Sequence, residues 1–131
     1  MKKFVLCLVM ALLLLPIGRF EAQQQDQKVY WMATIEVPLG SLSTYHAFAA
    51  DELTPLQEKY GYKFIGSWQT IIGPIEEVVV ICEFDDMAAY NKARVSLTQS
   101  EEWKQIAPRL TELTRAINTR FLRATPYSAI K

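Results

Sequence analysis

The sequence predicts an α+β domain of ferredoxin-like plan, in which a βαββαβ chain order folds into an antiparallel sheet with helices on one face. Three observations predict it. Branched and aromatic residues crowd into four short runs, and the outer two are separated from the middle pair by stretches whose apolar residues recur every three to four positions. The middle pair is joined by Gly73-Pro74, a turn signal that makes them a hairpin. Setting aside an N-terminal targeting segment leaves 109 of the 131 residues, one ordinary domain long enough to bury a core.

The chain opens Met1-Lys2-Lys3 and runs into 14 apolar residues, Phe4 to Ile17, short of the roughly 20 that a bilayer-spanning helix needs. The basic start, the short apolar middle and Arg19-Phe20-Glu21-Ala22 before a glutamine-rich stretch fit a secretory signal over residues 1–22, cut after Ala22. The expected location is therefore secreted or periplasmic, with membrane attachment only if the segment is uncleaved. Residues 23–27, QQQDQ, are a flexible leader, and residues 28–131 are the domain.

KVYWMATIEV, residues 28–37, reads as a strand that ends at Pro38-Leu39-Gly40. Leu42, Tyr45, Ala49, Leu53, Leu56 and Tyr60 then follow helical spacing, with Ser41 or Ser43 placed to cap and Gly61 to stop. Pro55, preceded by Thr54, kinks or restarts this helix. Residues 62–72 and 76–84 form the hairpin. Asp85-Asp86 break the apolar run and can cap a short helix over 87–97. Thr98-Gln99-Ser100-Glu101 has the form of a capping box, and behind it Trp103, Ile106, Ala107, Leu110, Leu113, Thr114 and Ile117 make a one-faced helical stripe. Pro108 kinks that helix or moves its start. TRFLRAT, residues 119–125, is the last strand and 126–131 a tail.

Charge and cysteine usage exclude several classes. Removing residues 1–22 takes away three basic residues and one acidic one, leaving 11 against 13 and a net charge of −2. The bases are scattered among acids, so no basic patch recruits nucleic acid or an anionic membrane surface. Cys7 leaves with the signal and Cys82 stands alone, which rules out an intrachain disulfide and a thiolate metal site. His46 is the only histidine. No cofactor and no metal are expected.

An antiparallel sheet wetted on one side alternates apolar and polar residues, and these strands mostly do not. In the third, Val78, Val80, Cys82 and Phe84 oppose Val79 and Ile81; in the first, Trp31, Ala33, Ile35 and Val37 oppose Tyr30 and Met32. Helices cover one of those faces. Leaving four or five such side chains in water forgoes about 1.5–3 kcal/mol each and makes a patch that associates. The first expectation for the cover is a second copy of the chain, two sheets face to face in a dimeric α+β barrel. A different partner or a lipid-like ligand is the second.

The ordered set Gly66-Ser67-Trp68, Gly73-Pro74-Ile75, Val78-Val79, Phe84-Asp85-Asp86, Ala93-Arg94, Glu102-Trp103 and Leu122-Arg123-Ala124-Thr125-Pro126-Tyr127-Ser128 resembles the NIPSNAP family over residues 28–130. The resemblance implies a ferredoxin-like fold assembled as a homodimeric barrel, in a superfamily that also holds cofactor-free monooxygenases, isomerases and haem enzymes. It implies no particular reaction. Where family members usually carry Arg and Tyr this chain has Ala33 and Ile35, and where they carry Asn, His, Trp and Tyr it has Glu76, Val80, Cys82 and Phe84. An Arg is common where Tyr90 stands; the next is kept as Arg94. Most of these positions are expected inside the barrel, which makes that interior apolar and nearly free of proton-transfer groups.

The residues expected to bind a ligand are Trp31, Trp68, Tyr90 and Arg94, and no catalytic residue is assigned. Trp31 and Trp68 suit a flat compound, against a plain core role. Trp103 is a weaker candidate. Arg94 suits a carboxylate, against a structural ion pair with Asp85 or Asp86. His46 has the pKa of a general base but stands alone on a helix. Glu76 and Glu77, adjacent in a strand, face opposite ways and cannot form one acid/base site. Cys82 is a small buried residue rather than a reactive thiol. The function expected is an exported homodimer that binds a small apolar or aromatic ligand or a protein partner. The alternative is a cofactor-free monooxygenase or isomerase acting on an aromatic or polyketide-like substrate, oriented by Tyr90, Arg94 or His46.

Overall fold

A computed structural model describes residues 27–130; the expected signal, and the leader apart from Gln27, lie outside them. The elements are β1 (Val29–Glu36), α1 (Leu42–Phe48), α2 (Thr54–Lys59), β2 (Lys63–Gln69), β3 (Glu77–Phe84), α3 (Met87–Gln99), α4 (Glu101–Leu113) and β4 (Ala116–Leu122). The strands form one antiparallel sheet in the order β2-β3-β1-β4, with the helices on one face. This is the α+β, ferredoxin-like order that the sequence predicts. Among the described residues no helix is long and apolar enough to cross a membrane.

Local chemistry accounts for the boundaries. After Pro38, one tight turn at Leu39–Ser41 leads into α1, and Ser41 makes no capping bond with its side chain. Over Ala49–Leu53 the helix widens into a turn with i→i+5 hydrogen bonds, and Pro55 falls in the first turn of α2, where its missing N–H matters least. The expected restart is thus made by one wide turn. Gly61 ends α2 at φ +100°, a conformation that glycine adopts without strain. Asp86 caps α3 by accepting from the Ala89 amide at 2.7 Å. Ser100, rather than Thr98, caps α4 by accepting from the Trp103 amide at 3.1 Å.

Three readings of the sequence need correction. The helical stripe stops at Leu113: Ile117 pairs with Ile35 in β4, which starts three residues before the predicted 119 and ends at Leu122. Ile117 falls at the next helical position by coincidence of spacing, and the Arg115 amide, 2.8 Å from the Glu36 carbonyl, already belongs to the sheet. Pro108 sits inside α4 and does not move its start, which leaves a kink as the one of the two expected effects still open to it. The second strand stops at Gln69, and residues 70–76 form a loop with Gly73 at φ +108°.

Pairing decides the faces. Val29 lies opposite Phe84, Trp31 opposite Cys82, Ala33 opposite Val80 and Ile35 opposite Val78. This set packs beneath the helices with Tyr45, Phe48, Leu53, Tyr62, Ala93 and Leu97. Ala33, Ile35, Val80, Cys82 and Phe84, expected inside a barrel between two sheets, therefore lie on the helix side instead. The physical reason is charge: the opposite face carries Glu36, Glu77 and Glu83 among Tyr30, Met32, Val79 and Ile81, and burial under helices would desolvate those carboxylates. Glu76 lies just outside β3, accepting from the Leu39 amide at 3.1 Å and pairing with Arg115.

β2 carries one extra residue. Phe64 lies opposite Cys82 and Gly66 opposite the next residue back, Ile81, so Ile65 is a bulge. A one-residue insertion inverts the faces of everything after it. Phe64 packs under the helices, whereas Trp68 lies opposite Val79 on the open face.

Candidate functional site

A cleft of about 650 Å³ opens on the helix side of the sheet, over β1 and β4. It exists because α4 stands off the strands beneath it. The apolar stripe of α4 contributes no fully buried residue, and Ile117 and Phe121 of β4 are left 43% and 41% exposed. Trp31, Ala33 and Ile35 of β1 and Ile117, Thr119 and Phe121 of β4 make the floor. The walls include Tyr90, Asn91, Arg94 and Thr98 of α3, Trp103 and Leu110 of α4, and Gln57 and Tyr62.

The aromatic side chains lock one another edge to face. Trp31 meets Tyr62 at a centroid distance of 5.7 Å, Tyr62 meets Phe84 at 5.0 Å, and Tyr90 meets Phe84 at 5.3 Å and Phe121 at 4.7 Å. The Asp86 cap starts α3 so that Tyr90 and Arg94, four residues apart, share one side of the helix. Arg94 is exposed at the cleft and has no ion pair among the described residues, because Asp85 is taken by Lys63 at 2.6 Å and Asp86 by the cap. Burial holds the Tyr62 phenol above its usual range, with Tyr90 and Cys82 adding and Arg94 opposing. At neutral pH the cleft thus presents a protonated phenol within the field of a cation.

The NIPSNAP family model matches residues 25–129. The chain belongs to the NIPSNAP family. A NIPSNAP family protein from Agrobacterium tumefaciens is 21% identical with a TM-score of 0.76, over 79% of this chain and 99% of that one. A second from the same organism, of unknown function, is also 21% identical with a TM-score of 0.76, over 81% of this chain and 96% of its own. An uncharacterized NIPSNAP-like domain protein from Burkholderia xenovorans is 17% identical with a TM-score of 0.72, over 79% and 90%. At such identities the likeness is one of fold. No curated protein is significantly similar to the chain.

In this NIPSNAP domain, Trp31, Tyr90 and Arg94 come together in the cleft, and Trp103 joins them. Trp68 does not: it is 53% exposed on the opposite face of the sheet, its ring against Gly66. His46 lines a separate, smaller hollow, its Nε2 2.9 Å from Oε1 of Gln69. The Cys82 thiol is pushed up to about 12 by burial, which keeps it from acting as a nucleophile at neutral pH. The helix-side cleft carries polar groups of its own, since Tyr62, Tyr90 and Arg94 all line it. Sequence reasoning missed Tyr62, Gln57, Asn91, Thr119 and Phe121. Phe121 had a signal, its alternation with Ile117 and Thr119, but that became readable only once β4 was seen to pair with β1, which sets Phe121 opposite Trp31.

Proposed function

We propose that this NIPSNAP domain binds a small aromatic compound carrying an acidic or enolic oxygen, held in the helix-side cleft. The observation that carries the reading is Arg94, a cation without an ion pair among the described residues, at the edge of an aromatic-lined cleft of about 650 Å³. A cavity of this size and lining suits a compound of one or two rings, and a guanidinium suits a planar oxyanion. Titration with 2-naphthoate, read by tryptophan fluorescence, tests it. Arg94→Leu is expected to weaken binding by roughly ten- to a hundredfold, as for a charged hydrogen bond, while neutral 2-methylnaphthalene binds both proteins alike. No fluorescence response to any aromatic acid would overturn the reading and favour a protein partner for the cleft.

The assembly that goes with this reading is a homodimer, with a second copy on the open face of the sheet. Trp68, Ile65 and Leu122 are exposed together there, an apolar patch that a facing surface would cover. Sedimentation equilibrium is expected to give a dimer at micromolar concentration; a stable, lipid-free single subunit would count against it. Export through residues 1–22 is part of the same proposal, checked by N-terminal sequencing of the processed protein for Gln23.

A cofactor-free monooxygenase or isomerase is the second reading, favoured by the Tyr62 and Tyr90 phenols lining the cleft with Arg94. Oxygen consumption, or deuterium uptake beside the carbonyl of a polyketide-like enol, would support it if Tyr62→Phe or Tyr90→Phe removed the activity.

A further inference from the structure

A second hollow, of about 280 Å³, lies beneath the wide turn Ala49–Leu53 and shares Trp31, Ile35, Leu53 and Gln57 with the cleft. The two spaces are therefore neighbours, with those four side chains between them. The turn itself makes the room, because it stands the small side chains of Ala49 and Ala50 at the hollow where larger residues would fill it. No Asp, Glu, Lys or Arg lines this hollow, yet it is not purely apolar: Tyr45, His46 and Ser67 face it. Tyr45 is 1% exposed, and no described residue hydrogen-bonds its hydroxyl. Tyr45 lines the hollow, so its side chain brings there a hydroxyl with no described partner.

We propose that the hollow is a distal subsite of the cleft, and that the ligand is an elongated molecule with an acidic aromatic head at Arg94 and a neutral hydroxyl- or carbonyl-bearing end beneath the wide turn, hydrogen-bonded by Tyr45. The proposal rests on the reading of the cleft given above. A neutral far end suits the lining best, since no carboxylate, lysine or arginine stands there to balance a full charge that would lose its hydration. Burial pushes the Tyr45 phenol up to about 12, so the group is present as the protonated form, able to donate to a carbonyl or hydroxyl oxygen.

The test compares 2-naphthoate with 6-(ω-hydroxyalkoxy)-2-naphthoates of increasing tether length, titrated against the full domain by calorimetry. One tether length is expected to bind at least about fivefold tighter than 2-naphthoate, the worth of a neutral hydrogen bond with some apolar contact. Tyr45→Phe should return that compound to the affinity of 2-naphthoate. Ala50→Leu, at an exposed position whose larger side chain fills the hollow, should do the same for every tethered compound. Both variants should leave 2-naphthoate itself within roughly twofold, under half a kcal/mol, and a melting temperature near wild type shows that they fold. A series with no gain over 2-naphthoate, or a gain that survives both substitutions, overturns the subsite and leaves the cleft standing. If 2-naphthoate does not bind either, the subsite and the reading of the cleft fall together.

Discussion

Replacing Phe84 with alanine probes the wall on which the cleft depends. Phe84 is 2% exposed, lies opposite Val29, and sits edge to face against Tyr62 at 5.0 Å and Tyr90 at 5.3 Å. Truncating a buried phenylalanine costs about 3–5 kcal/mol, and each aromatic pair accounts for about 0.5–1.5 kcal/mol beyond area burial. Against a total stability of about 5–15 kcal/mol the variant is left marginal. With a urea m-value of about 2 kcal/mol/M, the midpoint should fall by roughly 2 M. A double-mutant cycle isolates the ring contact: Tyr90→Leu alone should cost less, being half-buried, and the double variant should show a coupling of about 0.5–1.5 kcal/mol. The assay is urea unfolding followed by far-UV circular dichroism at one protein concentration. A loss below about 1 kcal/mol for Phe84→Ala, or no coupling to Tyr90, would refute the claim that one aromatic network builds the wall.

Asp86→Ala should lower the melting temperature by about 4–8 °C through loss of the α3 cap, with Asp86→Asn recovering most of it; equal melting of all three would show that the cap does not hold the helix. At Gly66 an added Cβ would lie 2.9 Å from Cη2 of Trp68, so Gly66→Ala should swing that exposed ring aside, shifting its emission in a Trp31→Phe, Trp103→Phe background while changing stability by under about 1 kcal/mol. Unshifted emission would mean that the ring does not rest there. The hydrogen bond from Lys59, with help from the helix N-terminus and Tyr60, holds the Glu102 carboxyl down to about 2 from an ordinary 4.5. Its folded value is the lower one, so its contribution is present above 4.5 and lost as pH falls toward 2. The melting-temperature gap between wild type and Glu102→Gln should therefore be widest at neutral pH and close in acid; a gap independent of pH would contradict this. The Cys82 thiol should ignore an aromatic disulfide reagent at about pH 8 until the protein is denatured, whereas rapid labelling of the native protein would show that burial does not protect it.

Much of the site was readable because short-range rules governed it. Arg94 and Tyr90 share a helix side by i,i+4 spacing after a cap, and Trp31 lies on the same strand face as Ala33 and Ile35 by period two. Trp68 was misgrouped with Trp31 because one inserted residue, Ile65, reverses the alternation, and no residue type announces a bulge. Ile117 was misread because a helical and an extended chain can both leave an apolar residue at that spacing; the partner strand decides between them.

What the sequence by itself determined is the element order, the stops at Gly61 and Gly73, the Asp86 cap, and an apolar surplus on both faces of the strands, since each follows from the chemistry of neighbours a few positions apart. Only the tertiary structure decided that the helices take the face without glutamates, that α4 stands off β4 to leave a cleft, and that Tyr62 and Phe121 meet Trp31 and Tyr90 around it. Those outcomes depend on which strands become neighbours and how closely helices seat on them, a balance of burial and desolvation summed over residues far apart in the chain, as Trp31 and Phe121 are at 90 positions.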